Sequence, residues 1–575
     1  MSSSSTPTPT LEPRGTISAK PLELDDNNEL HGSLAKEEEC ATSKQKETTG
    51  LQTGLLMGSL CMSVFLAALD VTIVTTALPT ISDHFQSASG YVWVGSAFLL
   101  SAASLIPSWG KFSDIWGRKA ILLLAAGVFF LGSALCGAAV SISMLIVGRV
   151  VQGAGAGGLL SLTGIIIGDL FSPRERGKYY GLIGMVWAAA SSLGPVIGGA
   201  LARKASWRWC FYINLPTTGL AMAIIVLTLK IRTPHTPVLA GMKAVDWLGS
   251  ALITGGTIMF LLGLQFGGGT HPWGSPVVIG LIVAGPLAFV LFMLVERYYA
   301  QYPIIPTHLF GNVSNLAIIL VDFFHGIVFT QGAYFLPIYF QAVLNTSPLM
   351  SGVLLLPFAL SLSLVAAIAG IYMKITGSYI GLLRMGFAIS LIGCGLLYDL
   401  PDSETWSKII IYQMILGIGS GADFQPPLIA LQSSVPAQDN AAATATFSLV
   451  RNMASAIAVV ISSAAFANKM TSQQADMAMK LGNETITAEF SGTHAEANIF
   501  LINSLDTEQQ SVVRGAYHRA IQDIWIESMC ITACGLMASF FVKNKTLQDE
   551  HTEVVTGLEG EKKRREIAMQ LRGEE

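Results

Sequence analysis

The sequence predicts an all-α polytopic membrane protein built from two related six-helix halves with two further spans inserted between them. Three observations predict it. The chain has 575 residues, of which 51% are hydrophobic and only 13% charged, against about 25% charged in soluble domains. Fourteen apolar runs are each long enough to cross a hydrocarbon core about 30 Å thick. Several short patterns in the first half recur in order in the second, at nearly constant separation.

In chain order, residues 1–50 are rich in Ser, Thr, Pro and acids, without apolar periodicity, and read as a disordered cytosolic tail. They lack the basic, apolar and small-residue zones of a signal peptide. The apolar runs are 54–78, 92–110, 120–140, 143–168, 179–201, 211–229, 246–267, 277–296, 314–340, 350–373, 380–400, 408–431, 443–466 and 523–542. They divide the chain into a first half (51–232), a linker with the two inserted spans (233–300), a second half (301–542) that includes an outer loop (467–522), and a cytosolic C-terminal tail (543–575).

Orientation follows from Lys and Arg placement. The short loop Gly110–Lys119, GKFSDIWGRK, carries Lys111, Asp114, Arg118 and Lys119, and Gly110 and Gly117 allow it a sharp turn. Arg174, Arg176 and Lys178 follow the fourth run, and Lys230, Arg232 and Lys243 follow the sixth. Arg203, Lys204 and Arg208 oppose the trend. The balance puts both termini in the cytosol and the 467–522 loop outside, where Asn483-Glu484-Thr485 is a glycosylation sequon.

The repeat consists of four ordered matches. Gly110-x3-Asp114-x2-Gly117 recurs as Gly370-x3-Lys374-x2-Gly377, Leu78-Pro79 as Leu336-Pro337, Gly153/Gly155/Gly157 as Gly417/Gly419/Gly421, and Pro173 as Pro436. Two halves facing a site near the midplane is transporter architecture. Other chemistry is excluded by what accompanies these motifs. The seven cysteines include no CxxC pair or zinc spacing, so no metal is expected. Gly153-x-Gly155-x-x-Gly158 lies inside an apolar run rather than after a soluble strand, so it is no dinucleotide fingerprint. Without a phosphate-binding loop, an ion gradient is the expected driving force. No nucleophile–base pair marks an enzyme, and the net charge of -4 suggests no nucleic-acid partner.

Further segments fit this frame: LDVTIVTTALP (Leu69–Pro79), Arg149-Val-Val-Gln152-Gly153-Ala-Gly155, Gly194-Pro195-Val-Ile-Gly198-Gly199 and WRWCFYINLP (Trp207–Pro216). With the GKFSDIWGRK loop and fourteen runs, they resemble the fourteen-span drug:proton antiporter branch of the major facilitator superfamily. YFLPIYFQAV (Tyr334–Val343) and GADFQPPLIALQ (Gly421–Gln432) look like fungal efflux pumps for toxins and other secondary metabolites. The resemblance implies the major facilitator fold and export of small organic compounds by proton antiport and alternating access. It implies a monomer in the plasma membrane, with a proton gradient and no cofactor. The alternative is a proton-coupled uptake or vacuolar carrier of the same fold, for siderophores or basic amino acids.

Individual residues carry these expectations. Asp70 is a lone acid near mid-membrane, where insertion costs about 2.5–3.5 kcal/mol. It is either the proton-coupling acid, as the resemblance implies, or a packing residue satisfied by Thr72 or a neighbouring helix. Arg149 either modulates that proton site or snorkels to the interface, and Gln152 lies one turn on. Asp322 and His325 share a helical face with Phe329 and either relay protons or stabilise a helix end. Asp423 and Gln425 are similar candidates, whereas Arg451 and Asn452 read as interface residues. Phe329, Tyr334 and Phe424, with Gln152 and Gln425, are candidates for the substrate cavity wall. Gly110, Asp114, Gly117 and Arg118 are expected to form a lock at the cytosolic span ends, and Gly194 and Pro195 to allow close packing or a bend.

Overall fold

The computed structural model describes residues 50–85, 88–229, 234–268, 271–550 and 554–573. The chain divides into two compact units, 1–54 and 55–575. The predicted tail up to residue 49, and Lys230 and Arg232, lie outside the described residues. The regular structure among the described residues is helical, apart from one isolated bridge between Gly267 and His271.

The long helices are α1 (Gly50–Phe85), α2 (Ala88–Trp116), α3 (Arg118–Gly137), α4 (Ile142–Leu170), α5 (Pro173–Lys204) and α6 (Asn214–Thr228) in the first half. The insert contributes α7 (Trp247–Phe266) and α8 (Pro276–Tyr298). The second half contains α9 (Val313–Ala342), α10 (Leu356–Thr376), α11 (Ile380–Tyr398), α12 (Trp406–Asp423), α13 (Pro426–Ser434) and α14 (Asn440–Ser472). Two short helices, α15 (Gln474–Leu481) and α16 (Glu484–Glu489), lead to the long helix α17 (Thr507–Ser539), and α18 (Leu558–Gly573) lies in the tail.

All fourteen apolar runs are helical, but ten candidate spans among the described residues have the length and hydropathy to cross a membrane. The helices over runs 92–110, 179–201, 408–431 and 523–542 do not meet that measure. The twelfth run is divided: α12 ends at Asp423 and α13 starts at Pro426, because consecutive Pro426 and Pro427 fit the first turn of a helix but not its interior. The fourteenth starts well before its predicted position, at Thr507, where Asp506 and Gln509 form a capping box.

One loop expectation changes. Gly110 does not turn the chain: α2 continues through it to Trp116, and the turn falls on Gly117 alone, at φ 90. Gly110 instead lets the second half approach. A methyl group there would stand 3.2 Å from Cβ of Ala445 in α14.

The internal repeat appears in the packing. A methyl group on Gly157 would stand 2.3 Å from the Ala102 carbonyl oxygen of α2, and one on Gly421 2.3 Å from the Leu362 carbonyl oxygen of α10. Gly155 meets the Phe129 amide nitrogen of α3 at 2.3 Å, as Gly419 meets the Ser390 amide nitrogen of α11 at 2.4 Å. Small residues at alternate positions bring α4 and α12 against two neighbours at once, backbone to backbone, as helices in lipid require for close association.

The halves meet most closely at the end that carries the GKFSDIWGRK segment, here called the basic end. Arg174 of α5 donates to the carbonyls of Lys374 (2.6 Å) and Ile375 (2.8 Å), and Lys374 pairs with Glu175 at 3.2 Å. Gln432 of α13 donates to the Tyr180 hydroxyl at 2.9 Å and accepts from Arg176 at 3.3 Å. Glycines 177 and 370 touch through bare backbone. These contacts join the two halves at this end through side chains and bare backbone. The insert flanks α2, where Thr254 donates to the Ser104 carbonyl at 3.2 Å. Val283, Leu287 and Val290 on α8 are exposed and apolar, the surface expected to face lipid.

Candidate functional site

Asp70 is wholly buried in α1. Three side chains donate to its carboxylate. The Arg149 guanidinium of α4 pairs with Oδ2, and Gln152, one turn on, donates to Oδ1 at 2.7 Å. Asn214, the first residue of α6, donates to Oδ1 at 2.8 Å. Further bonds tie the cluster together, although the Asn214 side-chain oxygen is buried without a partner among the described residues. Arg149 Nε donates to the Val94 carbonyl at 2.9 Å and Nη1 to Gln152 Oε1 at 2.7 Å, while Gln152 also donates to Ser133 at 2.9 Å. The guanidinium carbon lies 4.2 Å from the Phe98 ring centroid and 5.8 Å from that of Phe211. Arg149 therefore does not snorkel; it is 2% exposed and held in the centre of the half. Thr72 does not satisfy Asp70, since its hydroxyl is directed to the carbonyls of Leu69 and Ala190.

Buried ions this closely paired are stable only with full hydrogen bonding. The Asp70 carboxylate is thus the point at which α1, α4 and α6 are joined through side chains. Gly194 of α5 lies against the same stretch: a methyl there would stand 2.0 Å from Thr72 Oγ1. The Pro195 side chain lies outside the described residues.

The second half has no copy of this cluster; Gln413 occupies the position corresponding to Arg149. Its buried pair is built differently. Asp322 of α9 is 0% exposed and pairs at 2.7 Å with Arg451 of α14, which also donates to the Phe424 carbonyl at 3.0 Å. Reading Arg451 as an interface residue is corrected here: α14 begins at Asn440, so Arg451 lies well inside the helix. His325 is buried on the same face as Asp322, with Nε2 3.0 Å from the Ser420 carbonyl oxygen. Its ring lies 6.4 Å from Phe329 and 5.9 Å from Phe424, and those two phenylalanines are 5.9 Å apart. Phe329 and Phe424 are only partly buried, so they offer an aromatic wall beside the break between α12 and α13. Gln425, in that break, donates to the Tyr180 carbonyl of the first half at 3.3 Å.

Tyr334 departs from the expected cavity group. It is 41% exposed, and its hydroxyl donates to Glu496 of the 467–522 segment at 2.7 Å. Three further residues escaped sequence reasoning. Asn214 lay inside the quoted WRWCFYINLP segment, where a lone amide in an apolar run was the available signal. Gln331 and Glu527 pair at 2.9 Å between α9 and α17, and Ser462 of α14 donates to the same carboxylate at 3.2 Å.

Asp423 is 0% exposed, and neither carboxyl oxygen has a hydrogen-bond partner among the described residues. It therefore offers no ion pair or hydrogen bond that would hold α12. Asp423→Asn is expected to unfold within a few degrees of the parent, whereas Asp322→Asn, which severs the pair to Arg451, should cost about 1–3 kcal/mol. Thermal unfolding in detergent measures both.

At the basic end, Arg118 pairs with Asp114 and with Asp169 of α4, both at 2.6 Å. It ties the end of α2 to the ends of α3 and α4. Lys374, where the second half departs from Asp114, pairs with Glu175 across the seam instead.

A buried ion-pair cluster in one half, an aromatic wall in the other and contacts across the seam between them are the features of a polytopic helical membrane protein of two related halves. The chain belongs to the Major Facilitator Superfamily, whose profile matches residues 60–459. It is 48% identical to the efflux pump dotC of Dothistroma septosporum over 514 residues, covering 88% of this chain and 87% of that protein. It is 44% identical to the MFS-type transporter ppz2 of Metarhizium majus, covering 90% of this chain and 89% of the other. With the efflux pump FUS6 of Gibberella moniliformis it shares 36% identity over 92% of this chain and 94% of that one. Among solved structures, the proton:xylose symporter XylE has the same fold, with a TM-score of 0.54 at 14% identity over 86% of this chain and 97% of that one.

Proposed function

We propose that this protein exports small organic compounds, such as a toxin, drug or secondary metabolite, in exchange for protons by alternating access. The observation that carries the coupling is the wholly buried Asp70 carboxylate, which receives its bonds from Arg149, Gln152 and Asn214. A proton arriving from outside binds the carboxylate. Arg149 is then left to Gln152 Oε1, the Val94 carbonyl and the Phe98 ring, and the first half repacks. Proton release toward the cytosol restores the ion pair. The proton gradient therefore drives the cycle without a further cofactor.

Export as the direction is supported by similarity to proteins named as efflux pumps, over nearly the whole length of each. The basic end is read as cytosolic and both termini with it. The site of action is the plasma membrane, and the working unit a monomer. Asn483, exposed between α15 and α16, is then an outer glycosylation site. Phe329, Phe424 and His325 provide an apolar wall with one polar group, which suits amphiphilic substrates.

The test is untargeted metabolite profiling of fungal cells with and without the chain, in cytosol and medium. A compound retained inside without the chain, released when it is restored, and retained again when a protonophore collapses the gradient is the expected result. A compound left in the medium without the chain would make the protein an importer and overturn the proposal.

A further inference from the structure

We propose that the terminal helix α18 is a clamp that docks between the two halves at the basic end and holds that end shut. The inference goes beyond the export reading and rests only on its two-half rocking motion.

The docking site is made of charges from both halves. Asp114 lies in the last turn of α2 in the first half; Asp439 precedes α14 in the second. Arg564 of α18 donates through Nε to Asp439 Oδ1 at 2.5 Å and lies 3.4 Å from Asp114 Oδ2 through Nη1. One guanidinium thus spans the seam. Beside it, Glu561 pairs with Lys111 of α2 at 2.6 Å, and Lys111 also donates to the Pro303 carbonyl at 3.1 Å. The Gly557 amide donates to the Asp114 carbonyl at 2.7 Å, so backbone as well as side chain fixes the helix start. Leu558 packs on the small apolar cluster of Ile115, Ala244 and Val245. This is no loose surface contact: Arg564 and Glu561 are 5% and 3% exposed, and Lys111 2%.

The electrostatics agree with docking. Burial alone would raise the Glu561 carboxyl, but Lys111 first and Arg564 next hold it below the ordinary carboxylate range. Burial likewise works against the Arg564 cation, and Asp439, Glu561 and Asp114 together more than offset it. Without α18, Asp439 retains His308 at 2.8 Å and Asp114 retains Arg118 at 2.6 Å, each within its own neighbourhood. Arg564 is the cation that joins those neighbourhoods. If the basic ends separate, it can remain with one acid only, so every opening must break the clamp.

Hydrogen–deuterium exchange of the full-length protein in lipid nanodiscs tests this without any substrate. Removing residues 554–575 is expected to speed exchange of the amides of 105–116 and 437–447 roughly tenfold, as a local opening is released. Arg564→Ala should do the same, and Glu566→Ala, on the exposed side of the helix, should not. The thermal midpoint of the truncated protein separates local opening from general unfolding. Unchanged exchange in both the truncated and Arg564→Ala proteins would overturn the clamp. Accelerated exchange in a protein that exports nothing would keep the clamp and overturn the export reading instead.

Discussion

Asp70→Asn is expected to reach the membrane folded yet export at the level of cells lacking the chain. The substitution keeps the shape of the side chain and removes its titration. The amide oxygen it introduces can still accept from Gln152 and Asn214, so α1, α4 and α6 stay joined. Arg149 loses its counter-ion but retains the Val94 carbonyl, Gln152 Oε1 and the Phe98 ring. The stability loss should therefore fall below the about 3–5 kcal/mol seen when a buried charge is left wholly uncompensated. In the proposed cycle, what is lost is the alternation between a paired and an unpaired arginine, and with it the link between proton and substrate. Transport assays paired with surface-expression measurements check this. Gradient-driven export by Asp70→Asn at the parental rate would remove Asp70 from the coupling step.

The second large effect concerns stability. Gly157→Ala should cost about 1–3 kcal/mol, and Gly157→Val should exceed that and abolish folded yield, because the added carbon would stand 2.3 Å from a backbone oxygen that cannot swing away. Gly421→Ala, in the related position of the second half, should behave alike, as its Cβ meets the Leu362 carbonyl oxygen at 2.3 Å. Gly127→Ala is the control. Nothing lies within 4 Å of its Cβ position, so the gain in helix propensity should stabilise by about 0.5–1 kcal/mol. Thermal midpoints in detergent and size-exclusion yields read all of these variants. A Gly157→Ala protein as stable as Gly127→Ala would contradict the backbone contact.

The helices were legible because apolar runs of this length have few alternatives, and the repeat because its glycines are demanded by helix crossings present in both halves. Asp70, Arg149 and Gln152 were legible as isolated polar groups in apolar sequence. Which of them pair was not, since the partners are 79 and 82 positions apart. Arg451 was misread because the start of α14 falls a few residues before the apolar run does. Gly110 was misread because charged residues beyond it suggested a loop, whereas the helix continues to bury them against the tail. The tail read only as a cytosolic C-terminal segment, for a sequence rich in both charge signs shows no trace of partners 450 positions away. Tyr334 bonds Glu496 of the 467–522 segment, whose position no local pattern encodes.

The contact between Gly177 and Gly370 has a mechanical meaning. Most surfaces between packed helices are toothed: side chains mesh, and any displacement forces rotamers to jump in steps. Here a methyl on Gly370 would stand 2.1 Å from the Gly177 carbonyl oxygen, so smooth main chain meets smooth main chain. Such a point resists compression but offers no teeth against rotation. In the alternating-access reading, such a point would serve as a bearing in the seam, where one half meets the other without interlocking side chains.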